Sequence, residues 1–174
     1  MGDSLTTIIA IGLAAILMFV FPLMAVSERS DDISQLTVQT ATNEFVDNVR
    51  TTGKLTYEDY ESFLSTINAT GNSFDVEIQI QKLDDNLSVK VASAETTKIG
   101  ENVYYNLYTS QIEEQLLNNQ RISLKEGDLI SVTVKNTNTT ISQLLRNFFY
   151  QVTGNETYQI AAQHGGIVTV NGAK

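Results

Sequence analysis

The sequence predicts an α+β protein: a long N-terminal helix, transmembrane in character and then amphipathic, followed by a small, mainly antiparallel sheet with helices on one face. Three observations carry this. Leu5 to Val26 contains no charge, the next stretch repeats apolar residues at helical spacing, and the rest mixes strand-like alternation with short helical patterns. The chain has 174 residues, which leaves room for a terminal helix and one ordinary domain. The expected division is residues 1–26 as a transmembrane segment, 27–53 as the amphipathic continuation of its helix, and 54–174 as the α+β domain.

The first element reads LTTIIAIGLAAILMFVFPLMAV. At the helical rise it is about 33 Å long, enough for a hydrocarbon core of ~30 Å. Thr6 and Thr7 are expected to satisfy their hydroxyls on helix carbonyls. A cleaved signal peptide fits poorly: the first residues carry Asp3 and no Lys or Arg, and a cut after Leu23-Met24-Ala25 would put a large residue at −3. Past Val26 there is no Gly or Pro until Gly53. Ile33, Leu36, Val38, Ala41, Phe45 and Val49 recur mostly three or four apart, predicting one side of a helix that ends near Gly53, with Arg50 in its last turn. A mild bend is expected at Pro22, and the alternative is two helices hinged at Ser27–Ser30.

Thr56 is placed to cap a helix over Tyr57–Asn68, with Glu58 and Asp59 in its first turn and Tyr57, Tyr60, Phe63, Leu64 and Ile67 as its apolar face. Ala69–Ser73 reads as a turn. Phe74–Leu83 alternates with Val76, Ile78 and Ile80 on one face, a strand that Asp84-Asp85-Asn86 would return as a hairpin through Leu87–Ala92. A helix is expected over Gly100–Asn119 with Val103, Leu107, Ile112 and Leu116 inward. Ile122–Lys125 and Leu129–Asn136 read as a strand pair around Glu126-Gly127-Asp128. Ser142–Val152 reads as a short helix carrying Leu144, Leu145, Phe148 and Phe149. Tyr158–Ala162 and Ile167–Val170 read as strands separated by His164-Gly165-Gly166.

Function classes narrow by exclusion. A formal charge of −9 argues against nucleic acid and against a polybasic grip on anionic lipid. There is no Cys, so disulfides and thiolate metal sites are ruled out. His164 is the only histidine and reads as a turn residue; no partnered base or zinc spacing accompanies it. Asp31-Asp32 and Asp84-Asp85-Asn86 lack the alternating ligands of a calcium cage and read as a helix start and a turn. Gly165-Gly166 lacks the setting of a phosphate loop. The sequence therefore predicts no cofactor, no metal and no enzyme active site. Arg29 is the one basic residue flanking the membrane segment, too little to fix orientation. The acidic, Asn- and Thr-rich domain is expected on the extracytoplasmic side.

This layout resembles type IV pilin-like proteins, in particular the small subunits that accompany tight-adherence (Tad) pilus machineries of Gram-positive bacteria. The residues that carry the resemblance are the apolar helix with Gly12, Ala14-Ala15 and Pro22, its amphipathic continuation through Phe45 and Val49, and the run LKEGDLISVTV (Leu124–Val134). It implies a structural subunit of a cell-surface filament or its assembly base, held first in the lipid bilayer and then packed against other pilin-like subunits, with membrane assembly machinery as a further partner. Mature pilins carry Glu at their fifth position; here that position is Leu5 and the nearest acid is Asp3. The residues assigned to helix packing and assembly are Asp3, Gly12, Ala15, Phe19, Pro22, Phe45 and Val49. The alternative is a single-pass anchored accessory or sensor protein whose acidic domain binds a partner.

Overall fold

The computed structural model describes residues 2–83, 104–150 and 159–172. One helix, α1 (Gly2–Thr52), runs unbroken for 51 residues, or about 76 Å, through both Pro22 and Ser27–Ser30. It stops at Gly53, whose φ of 66° suits a residue without Cβ and whose N–H donates to Val49 O at 2.9 Å. The same Gly is held against the chain's C-terminal end: a Cβ there would lie 2.6 Å from Val170 O.

Then follow β1 (Lys54–Thr56), α2 (Tyr57–Asn68), β2 (Phe74–Leu83), β3 (Tyr104–Tyr108), α3 (Thr109–Asn119), β4 (Arg121–Ser123), β5 (Leu129–Asn136), α4 (Ile141–Tyr150) and β6 (Ala161–Ile167). The main sheet is antiparallel, in the order β3-β2-β5-β6, and β1 pairs with β4 in a separate two-stranded ribbon. The α+β architecture read from the sequence is present: a long apolar N-terminal helix and a small antiparallel sheet with helices.

Register explains where the core lies. Ile78 stands opposite Val132, and Val132 opposite His164; Ile80 stands opposite Ile130, and Ile130 opposite Gly166. These positions share one face. Ile78, Ile80, Ile130, Val132 and Val134 are buried there, while Gln79, Gln81, Ser131 and Thr133 occupy the other. Against the apolar face pack Val38, Phe45, Val46 and Val49 of α1, Phe63 and Ile67 of α2, and Ile112 and Leu116 of α3. Phe45 and Phe63 stack with centroids 4.6 Å apart, tying α1 to α2. The N-cap of α2 is as expected: Thr56 Oγ1 accepts from Asp59 N at 3.1 Å.

Several expectations need correction. Tyr104–Tyr108 is a strand, not the first part of a helix. It pairs with Gln79–Leu83, and its aromatic-rich sequence suits a pleated surface. The helix begins only at Thr109, and it keeps Ile112 and Leu116 inward. Ile122–Lys125 and Leu129–Asn136 do not pair with each other. Arg121–Ser123 pairs with Lys54–Thr56, and Leu129–Asn136 lies between β2 and β6. His164-Gly165-Gly166 is the interior of β6 rather than a turn. A Cβ on Gly166 would meet the Arg50 guanidinium at 2.7 Å, so this glycine admits α1 close to the strand. The α4 helix starts at Ile141, and its Leu144 is exposed. The Asp84-Asp85-Asn86 turn, the Leu87–Ala92 strand, Val103, Val152 and Tyr158 lie outside the described residues.

Candidate functional site

The first half of α1 has an unusual position for an apolar helix. Leu5, Ile8, Ile11, Leu13, Ile16, Met18, Phe19, Phe21, Leu23 and Val26 are all exposed, and none of its most apolar window is buried by the domain. A stretch so widely exposed at that hydropathy is far beyond the scattered apolar residues of a water-facing surface. By length and composition it is long and apolar enough to cross a membrane. Near its start, Thr6 and Thr7 Oγ1 donate to Asp3 O at 3.1 and 2.6 Å, so both hydroxyls are satisfied on the helix.

The assembly residues named from the sequence divide between two faces of this helix. Gly12, Ala15, Phe19 and Pro22 are exposed, and a Cβ on Gly12 would meet nothing within 4 Å. At about 100° per residue they fall on one stripe, which continues through Val26, Ile33 and Leu36. Asp31, Ser34, Val38, Ala41, Phe45, Val46 and Val49, all buried, form a second stripe about 130° away around the axis. Phe45 and Val49 therefore pack within their own domain. Asp3 lies in the exposed first turn, off both stripes. Ile33 and Leu36, grouped with the core by spacing alone, are 59% and 65% exposed and belong to the outward stripe. The sequence held a signal for this: Ser34 and Thr42, small hydroxyls that bond Ser30 O and Val38 O within the helix, complete the inward period without Ile33 or Leu36.

Where the apolar segment ends, the domain grips α1 through polar groups. Glu28 Oε1 accepts from Arg146 Nε at 3.1 Å and Nη2 at 3.0 Å. Asp31 Oδ2 accepts from Thr140 Oγ1 at 2.7 Å in a buried contact. Thr140 is also the N-cap of α4. Its Oγ1 accepts from Gln143 N, and Gln143 Oε1 accepts from Thr140 N, a reciprocal capping box. Asn72 Nδ2 donates to Ser34 Oγ at 3.4 Å, and Asn138 Nδ2 donates to Asn72 Oδ1 at 3.1 Å. This polar collar sits directly past Val26.

Elsewhere, Tyr60, Lys82 and His164 each make a contact between elements of the fold. Tyr60 O–H donates to Glu113 at 2.6 Å between α2 and α3, and burial followed by that bond and charge raises its pKa. Lys82 donates to Ser123 O at 2.9 Å, and burial lowers its pKa despite the nearby Asp128 carboxylate. His164 Nε2 lies 3.4 Å from Asp47 on the exposed flank of α1, a contact between helix and strand. Among the described residues no group of three or more His, Asp or Glu side chains is arranged to hold a metal ion. Compared with protein-family models, curated proteins and solved structures, the chain matches none of them.

Proposed function

We propose that this chain is a pilin-like structural subunit of a cell-surface filament or of its assembly base, without catalytic activity. The first half of α1 spans the bilayer before assembly, with the acidic domain on the extracytoplasmic side. Afterwards its outward stripe packs against α1 of neighbouring subunits, self or related, as membrane assembly machinery extracts the helix. One observation carries the reading. One unbroken helix is built into the domain core by its second half, while its first half and the stripe Gly12–Leu36 stay largely exposed among the described residues. A lipid environment satisfies the first half of the helix, whereas Ile33 and Leu36, beyond the charges at Glu28 and Arg29, call for a protein neighbour.

An anchor that never leaves the bilayer, serving an accessory or sensor domain, is the competing reading. Shearing of the cell surface separates the two. Recovery of the chain in sheared fibres, together with loss of fibres on its deletion, supports the subunit. Exclusive recovery in the membrane fraction with unchanged fibres refutes it.

A further inference from the structure

Helix α4 presents two exposed apolar residues on its outward face. Ile141 and Leu144, one turn apart, are each 58% exposed, while Ser142 and Gln143 are buried and Arg146 is half-buried against Glu28. Thr140 meets Asp31 and Arg146 meets Glu28, so α4 runs antiparallel to α1, back toward the apolar end. From Ile141 to Tyr150 it extends about 15 Å, the rise of ten α1 residues, which brings its end roughly level with Phe21. On α1, Val20 and Met24 lose part of their exposure, in line with Ser27, Glu28 and Asp31 on the side where α4 lies. The helix therefore descends past the first charges of α1 into the level of the apolar segment. Its guanidinium at that level is already neutralised by Glu28 through two hydrogen bonds.

We propose that α4 is a second membrane contact: before assembly it enters the interfacial layer of the bilayer beside α1, with Ile141 and Leu144 facing lipid. This rests on the reading of α1 as a membrane span. The occupant is lipid because Ile141 and Leu144 are exposed beside Glu28 and Asp31, at the boundary where the apolar segment of α1 ends. An apolar side chain there gains burial without a partner protein, and a paired Arg at headgroup level is tolerated. The consequence is a domain fixed against the membrane at two points, so that its orientation about the α1 axis is set before it meets another subunit.

The absence of Cys makes the test clean. Leu144→Cys, Phe19→Cys and Gln79→Cys, each in the full chain, are labelled with an environment-sensitive fluorophore. Each is reconstituted in vesicles of equal parts phosphatidylcholine and phosphatidylglycerol carrying nitroxides at headgroup or deep acyl positions, and circular dichroism verifies folding. The expected result is that headgroup nitroxides quench the Leu144 label, deep nitroxides quench the Phe19 label, and neither quenches the Gln79 label. The Leu144 label also shifts to the blue and loses quenching by aqueous acrylamide. Lipid quenching at Phe19 with Leu144 as water-exposed as Gln79 overturns the inference and leaves the membrane span standing. Shielding of Leu144 from acrylamide that grows with protein density, without lipid quenching, assigns the face to a second copy and also overturns it. Failure of lipid quenching at both sites overturns the span and, with it, the inference.

Discussion

Gln35 forms both hydrogen bonds of a strand neighbour with Ala161: its Nε2 donates to Ala161 O at 2.7 Å, and its Oε1 accepts from Ala161 N at 2.9 Å. At the other end of the same strand, Arg50 Nε donates to Ile167 O at 3.0 Å. From Gln35 to Arg50 the helix rises about 22 Å, and Ala161 to Ile167 spans about 20 Å. Helix α1 thus lies along β6 in matched length, and its side chains occupy backbone groups at both ends of an edge that would otherwise be open to another strand.

Replacing Gln35 with Ala should therefore cost about 1 kcal/mol and increase hydrogen exchange at Ala161 N–H, with the rest of the sheet unchanged. Urea unfolding and exchange mass spectrometry measure both. Gln35→Glu, which keeps an acceptor for Ala161 N and loses the donor to Ala161 O, should fall between the two.

Phe45 and Phe19 test the two faces of α1 directly. Phe45 is 6% exposed and stacked on Phe63, whereas Phe19 is 74% exposed. Phe45→Ala should destabilise the domain by about 3–5 kcal/mol. Phe19→Ala should leave domain stability within ~0.5 kcal/mol and act only on membrane retention or assembly. Urea titration in detergent reads the first effect and fractionation of cells the second.

The collar depends on Thr140, which caps α4 and donates to the buried carboxylate of Asp31. Thr140→Val should cost about 2 kcal/mol through the lost cap and the stranded carboxylate. Thr140→Ser, which keeps the hydroxyl, should restore most of it. The same denaturation assay distinguishes them.

Tyr60 gives the domain an alkaline limit. Its hydroxyl is held protonated by burial and by Glu113 beyond the ordinary tyrosine range. Above about pH 10 the unfolded chain loses this proton while the folded chain keeps it, so the unfolded state binds fewer protons there. The stabilisation is complete below that pH and declines as pH rises toward the folded pKa. Tyr60→Phe should flatten the decline, as read from urea midpoints across the alkaline range.

What was legible in the sequence followed from local chemistry. The Thr56 cap, the alternation of Phe74–Leu83 and the uninterrupted run to Gly53 specify their own structure, and α1, α2 and β2 stand where that chemistry puts them. What was misread depends on distant partners. Tyr104–Tyr108 becomes a strand because β2 pairs with it, and Arg121–Ser123 because Lys54–Thr56 lies beside it. Gly165-Gly166 resembles a turn until its neighbours are placed: Ile130 O and Ser131 of the adjacent strand crowd Gly165, and Arg50, more than a hundred residues earlier, fills the space a side chain on Gly166 would need. At the candidate site, Gly12, Ala15, Phe19 and Pro22 were named from the sequence as packing residues, and their common stripe emerges only from the unbroken helix that carries them. Spacing by threes and fours did not separate Ile33 and Leu36 from the core, because only the angular phase around α1 distinguishes the two faces.

The proposed function rests on the outward stripe of α1 packing against α1 of a neighbouring subunit, self or related. Photo-crosslinking from Phe19 in intact, detergent-free fibres sheared from the cell surface tests it most directly. Crosslinked dimers joined through α1 of two subunits are expected. Crosslinks to lipid alone, from a chain found only in the membrane fraction, would contradict it.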